Sequence, residues 1–150
     1  MKFAFTIGGE PMGKERPRAA TIGGHAKVYT PKKTANYEAK VGYAFRKAYP
    51  NAEPLATAIE VTIWCYFPLN KGDYTPKGEP TKKGWAKLCG TIKHTKKPDC
   101  DNIAKAVLDG LNGLAFVDDS QIVTLSVHKQ YSRGVCVVVW INDEFSNDDI

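Results

Sequence analysis

The sequence predicts an α+β fold: a small mixed or antiparallel sheet of about four strands, with two main helices on one of its faces. Three observations lead there. Several segments alternate apolar and polar residues, and two others repeat apolar residues at helical spacing. The order β, loop, α, β, loop, α, β, β gives an α+β domain with its two helices on one face of the sheet.

The opening FAFTIGG reads as a strand with Phe3, Phe5 and Ile7 on one face, stopped by Gly8 and Gly9. From Glu10 to Tyr29 no period lasts, so a loop is expected. Thr30 and Pro31 suggest a helix start, Thr as N-cap and Pro at the first helical position. Tyr37, Val41, Ala44, Phe45 and Ala48 then form one stripe, giving a helix over about 31–48 that covers the sheet and ends before Pro50. Ile59, Val61, Ile63, Cys65 and Phe67 alternate with polar residues and make a strand ended by Pro68. Residues 68–97 have no lasting period, which predicts a flexible basic loop or a short exposed helix near Trp85. Ile103, Val107, Leu111 and Leu114 form a second helical stripe stopped at Asn112-Gly113. Val123, Leu125 and Val127, a turn at Ser132-Arg133-Gly134 and then VCVVVWI read as a hairpin.

At 150 residues the chain is expected to be one domain, burying roughly 68–70% of its unfolded surface. Its apolar and charged fractions, 43% and 25%, exclude disorder and fibrous designs. No apolar run is long enough for a signal sequence or a membrane span, so a cytoplasmic location is expected. Cys65, Cys89, Cys100 and Cys136 show no CxxC pair and stand apart from His25, His94 and His128, which argues for reduced thiols rather than zinc. The net charge of +5 admits a polyanionic partner, and its distribution says more. Residues 71–97 hold eight Lys against two acids, whereas 98–122 hold five Asp against Lys105 alone. An acidic tail follows over 143–150.

The chemistry concentrates in KKPDCDNIAKAVLDGLNGLAFVDDSQI. Pro98 keeps Lys97 out of a helix, so Asp99 and Asp101 enter the second helix from extended chain, where residues two apart share a side. Lys105 follows Asp101 by one helical turn. A helix of about twelve residues covers roughly 18 Å, and residues 113–118 could retrace roughly 20 Å, so Asp118 or Asp119 is expected to return to the first two carboxylates within one chain. Three carboxylates repel unless a cation joins them, and hard oxygen ligands select Mg²⁺ or Mn²⁺, which activates water for attack on phosphorus. Each half alone has a plain structural reading, a helix N-cap at Asp101 or Asn102 and a turn at DDSQ. Together with Lys105 they favour chemistry.

The series K-P-D-x-D-N-x-x-K, D-x-L-N-G and D-D-x-Q-I, about 26 residues with fixed gaps, resembles the signature of the RusA family of Holliday junction resolvases, often carried by bacteria and their prophages. The earlier GKERPR and YTP are similar to the family pattern, while 68–97 matches no family motif. The resemblance implies a RusA-like endonuclease domain and a homodimer that cuts two strands of a four-way junction with Mg²⁺ or Mn²⁺ and no organic cofactor, in recombination and repair. It also implies metal-binding roles for Asp99, Asp101 and Asp119 with Asp118 as an acidic neighbour, Lys105 as the catalytic lysine, Asn102 as a support for the site and Asp109 as a packing residue.

Lys14, Arg16 and Arg18 alternate along the first loop, and Lys93, Lys96 and Lys97 lead into the Asp cluster; both groups are expected to contact DNA phosphates. The alternatives are a less selective flap or single-strand nuclease and a non-catalytic module that binds branched DNA.

Overall fold

In the computed structural model, which describes residues 2–144, the first strand β1 (Lys2–Gly8) turns Phe3, Phe5 and Ile7 inward. Helix α1 (Lys32–Ala48) lays Tyr37, Val41 and Phe45 against them. The Phe45 ring meets Phe3 at 5.1 Å and Phe5 at 5.5 Å, both edge-on, the geometry that aromatic quadrupoles favour. Just past the helix, the Tyr49 hydroxyl accepts from the Ala4 N–H at 2.9 Å and clamps α1 to β1. Burying each such large side chain stabilises by roughly 1.5–3 kcal/mol.

Strand β4 (Ile59–Phe67) buries every second residue and forms the sheet's interior. The four-stranded sheet runs β1-β6-β4-β5, where β5 is Ile122–Tyr131 and β6 is Cys136–Asn142. Strand β6 is antiparallel to both neighbours, and β5 is parallel to β4, so the sheet is mixed. The expected hairpin of the last two strands is therefore not formed: β4 lies between them. Alternation tells which face a strand buries but not which strand it pairs with, and here the chain crosses the end of β4, with the Ser132 N–H donating to the Phe67 carbonyl at 2.8 Å. Val123 and Leu125 stay largely exposed because β5 is an edge strand with a register shift at its start.

Helix α3 (Cys100–Leu111) carries the chain from β4 back to β5, as a parallel pair requires, and buries Ile103, Val107 and Leu111. It packs against α1, so both long helices cover one face, and Gly110 makes that approach possible. A Cβ there would lie 2.7 Å from the Glu38 carbonyl oxygen. Trp64, Trp140 and His128 lie on the sheet's other face, with Trp64 and Trp140 edge-on at 4.7 Å.

Two further expectations change. Residues 18–29, read as loop, form a two-stranded ribbon, β2 (Arg18–Ile22) and β3 (His25–Tyr29), turned by Gly23 and Gly24 at positive φ. Nearly all its residues are exposed, so no apolar alternation marked it. Helix α1 starts one residue late, with Pro31 rather than Thr30 at its N-cap. Residues 68–97 contain a 3-10 turn (Lys71–Asp73) and helix α2 (Lys82–Leu88), the short helix foreseen near Trp85. The acidic tail lies outside the described residues from position 145. Among the described residues no helix is long and apolar enough to cross a membrane, and all four cysteines are free thiols.

Candidate active site

Asp99 is the N-cap residue of α3, with extended backbone and its carbonyl accepting the Ile103 N–H at 3.0 Å. Its side chain makes no capping bond and stands exposed. Asp101 sits inside the first turn, also exposed, rather than on extended chain, so strand-like alternation does not align the two carboxylates. What they share is the N-terminal end of α3, where free N–H groups favour negative charge. Lys105 follows one turn on, exposed. Asn102 is half-buried, and its carbonyl accepts the Lys14 N–H at 2.9 Å, which ties the 10–16 segment to this helix end.

The second acidic pair does not come back to the first. The chain after α3 turns at once: the Gly113 N–H donates to the Phe116 carbonyl, and Phe116 bridges to Asn112 and Leu55. Asp118 and Asp119 therefore stand near the C-terminal end of α3, whose 12 residues span ~18 Å. A second ruler agrees. Lys129 donates to the Lys96 carbonyl at 2.6 Å, beside Asp99 in the chain, and lies ~23 Å along β5 from Ile122 at about 3.3 Å per residue. Among the described residues no three His, Cys, Asp or Glu side chains converge as metal ligands. One chain alone does not assemble the three-carboxylate site, because residues 112–116 form a tight turn where an extended return was expected.

The Asp118–Asp119 end is nevertheless well built. Asp118 and Gln121 form a reciprocal capping box around a 3-10 turn (Asp119–Gln121), with the Asp118 N–H donating to the Gln121 side chain at 2.8 Å. Hydrogen bonding from Ser120 holds the Asp118 carboxyl below its usual range. The Gln121 amide donates to the Leu55 and Thr57 carbonyls, each at 2.8 Å. Asp119 is thus presented, exposed, from a pinned turn.

Beside Asp99 opens a cleft of about 1040 Å³, lined among others by Glu10, Arg16, Lys33, Lys40, Lys97 and Asp99. Its full lining sets five cations, Lys14 among them, against three acids, Glu10, Glu15 and Asp99, so the cleft carries a net positive charge. Lys33 and Lys40 were missed in the sequence, where α1 reads only as a helix covering the sheet; their spacing of seven on its polar side was the available signal. Arg16, Lys97 and Lys14 all line this cleft. Lys14 is paired with acids. Its ammonium hydrogen-bonds Asp109 and lies 3.4 Å from Glu38, and the Asp109 bond raises its pKa. Arg18 lies 3.6 Å from Glu15 and is otherwise exposed, and Lys93 and Lys96 are exposed on the segment leading to Pro98.

A family model described as endodeoxyribonuclease RusA matches residues 8–142, nearly the whole chain and every element above except β1, of which it includes only the last residue. The uncharacterized protein YqaN of Bacillus subtilis (strain 168) is 32% identical over 142 residues, covering 93% of this chain and 94% of its own length. With the Asp99–Asp101 helix end and the pinned Asp118–Asp119 turn both inside the matched region, the chain belongs to the RusA family of endodeoxyribonucleases.

Proposed function

We propose that this protein resolves four-way DNA junctions by Mg²⁺- or Mn²⁺-dependent phosphodiester hydrolysis, acting in recombination and repair as a two-fold homodimer whose metal sites are shared between protomers. The observation that carries this reading is that two exposed acidic pairs of one chain flank opposite ends of α3, whose 12 residues span ~18 Å. Asp99 and Asp101 would come from one protomer and Asp119, with Asp118 beside it, from the partner; a two-fold axis then makes two equal sites for a two-fold substrate. A bound divalent cation would supply the activated water and the charge stabilisation that phosphodiester hydrolysis needs. Lys105 would face the charge that develops on phosphorus, and Arg16, Lys33, Lys40 and Lys97 would hold the strand leading to it. Lys93 and Lys96 extend that path, Arg18 flanks it, and Asn102 supports it through its bond to the 10–16 segment.

The purified protein is expected to nick a synthetic four-way junction symmetrically on two strands when Mg²⁺ is added, and flaps or linear duplex far more slowly. Equal cutting of flaps favours a less selective nuclease. Tight junction binding with no cut in Mg²⁺ or Mn²⁺ favours a non-catalytic module. Sharing of the site has a separate test. Asp101→Asn and Asp119→Asn proteins are each inactive, but their mixture after subunit exchange regains roughly a quarter of the wild-type sites, since half the dimers are mixed and each holds one intact set. A mixture no better than its parents rules out the shared site.

A further inference from the structure

We infer that Trp85 and Arg133 form a binding site for an unpaired nucleobase, built on the 68–97 segment and separate from the acidic residues. The inference rests on the DNA-cutting reading above and adds to it a contact that reads unpaired structure.

The segment is held as a rigid mount. Asp73 and Lys87 make a 2.7 Å ion pair with both side chains almost wholly buried, an arrangement proteins keep only where it is fully satisfied. The Asn70 N–H donates to the same Asp73 carboxylate at 2.9 Å. The Lys87 ammonium also lies 5.0 Å from the Tyr131 ring at the end of β5. Helix α2 presses directly on the 3-10 turn: a Cβ on Gly84 would lie 2.4 Å from the Asp73 carbonyl oxygen. The Thr81 hydroxyl caps the helix by accepting the Gly84 N–H at 3.1 Å. Downstream, His94 stacks on Phe67 at 3.7 Å, and the chain then runs to Asp99.

On this mount Trp85 points outward and is 53% exposed. Its polar neighbour is a cation. The Arg133 guanidinium lies 5.4 Å from the ring centroid and is steadied by Glu79 at 3.9 Å. Lys82 and Lys83 on the same helix are exposed. With Asp73 neutralised by Lys87, the rest of the segment is strongly basic, so the surface around the indole attracts a polyanion. An exposed indole on a fixed helix amid cations fits one ligand chemistry: a base stacked on the ring while the cations hold its backbone. Arg133 lies just past the end of β5, four residues after Lys129, which holds the Lys96 carbonyl three residues before Asp99.

Binding is measured without divalent metal, on a four-way junction and on oligo-dT. Trp85→Ala is expected to weaken binding to both by roughly 5- to 150-fold, the range that stacking of one base supplies, with an unchanged slope of log affinity against log salt. Trp85→Phe recovers most of the loss. On oligomers of abasic sites, wild type and Trp85→Ala bind alike. Unchanged affinity of a folded Trp85→Ala protein, or a loss that persists on abasic oligomers, overturns the stacking site while leaving the nuclease reading intact. A protein that cuts no DNA yet binds oligo-dT through Trp85 overturns the nuclease reading alone.

Discussion

Single side chains settle which charges are available to DNA. Lys14 and Arg16 lie two apart in one basic motif and both line the cleft, yet Lys14 is engaged by Asp109 and Glu38. Gln121 shows the reverse, a neutral residue with a positioning role. Its amide holds the Leu55 and Thr57 carbonyls and its oxygen accepts the Asp118 N–H, so three bonds fix the turn that presents Asp119. Gln121→Ala is expected to lower cleavage about tenfold or more, in line with the ~1–3 kcal/mol cost of leaving such polar groups unmatched, with little change in junction binding. Cleavage at the wild-type rate means the turn holds Asp119 without Gln121.

Among the elements, α2 depends most on one interaction. Lys87→Met leaves the Asp73 carboxylate buried without its cation, a change that typically costs about 3–5 kcal/mol. Faster amide exchange across residues 71–92 is the expected readout, and exchange no faster than wild type counts against the ion pair as the mount's anchor. The hydrogen bond from Lys87 holds the Asp73 pKa below its ordinary 3.8. A depressed pKa contributes stability above the unfolded value and loses it as pH falls through the folded value. Protection of α2 is therefore full at neutral pH and decays on acidification below about pH 3.8. The Lys87→Met protein lacks that acid-side step.

For the whole molecule, the cleft and the acidic sites predict how binding answers to salt. Replacing Lys33 and Lys40 together by Gln removes two cations from the path beside Asp99. The slope of log affinity against log salt is expected to flatten by roughly 1.8, about 0.9 for each phosphate contact on duplex DNA. An unchanged slope places the DNA elsewhere.

The core and the family were legible in the sequence, because both rest on local spacing. Alternation in 59–67 and the stripe through Tyr37, Val41 and Phe45 follow from residues that one face of one element must bury. The gaps between Asp99, Asp101, Lys105 and Asp119 carried the family. The exposed ribbon of 18–29 buries no face and so left no period to read. Pairing and distance were decided only by the tertiary structure. Strand β4 separates β5 from β6 because neighbours in a sheet are chosen by the packing of the whole chain, not by alternation within one strand. The two acidic pairs flank opposite ends of α3 because residues 112–116 close into a tight turn against Leu55, a contact with chain far away in sequence.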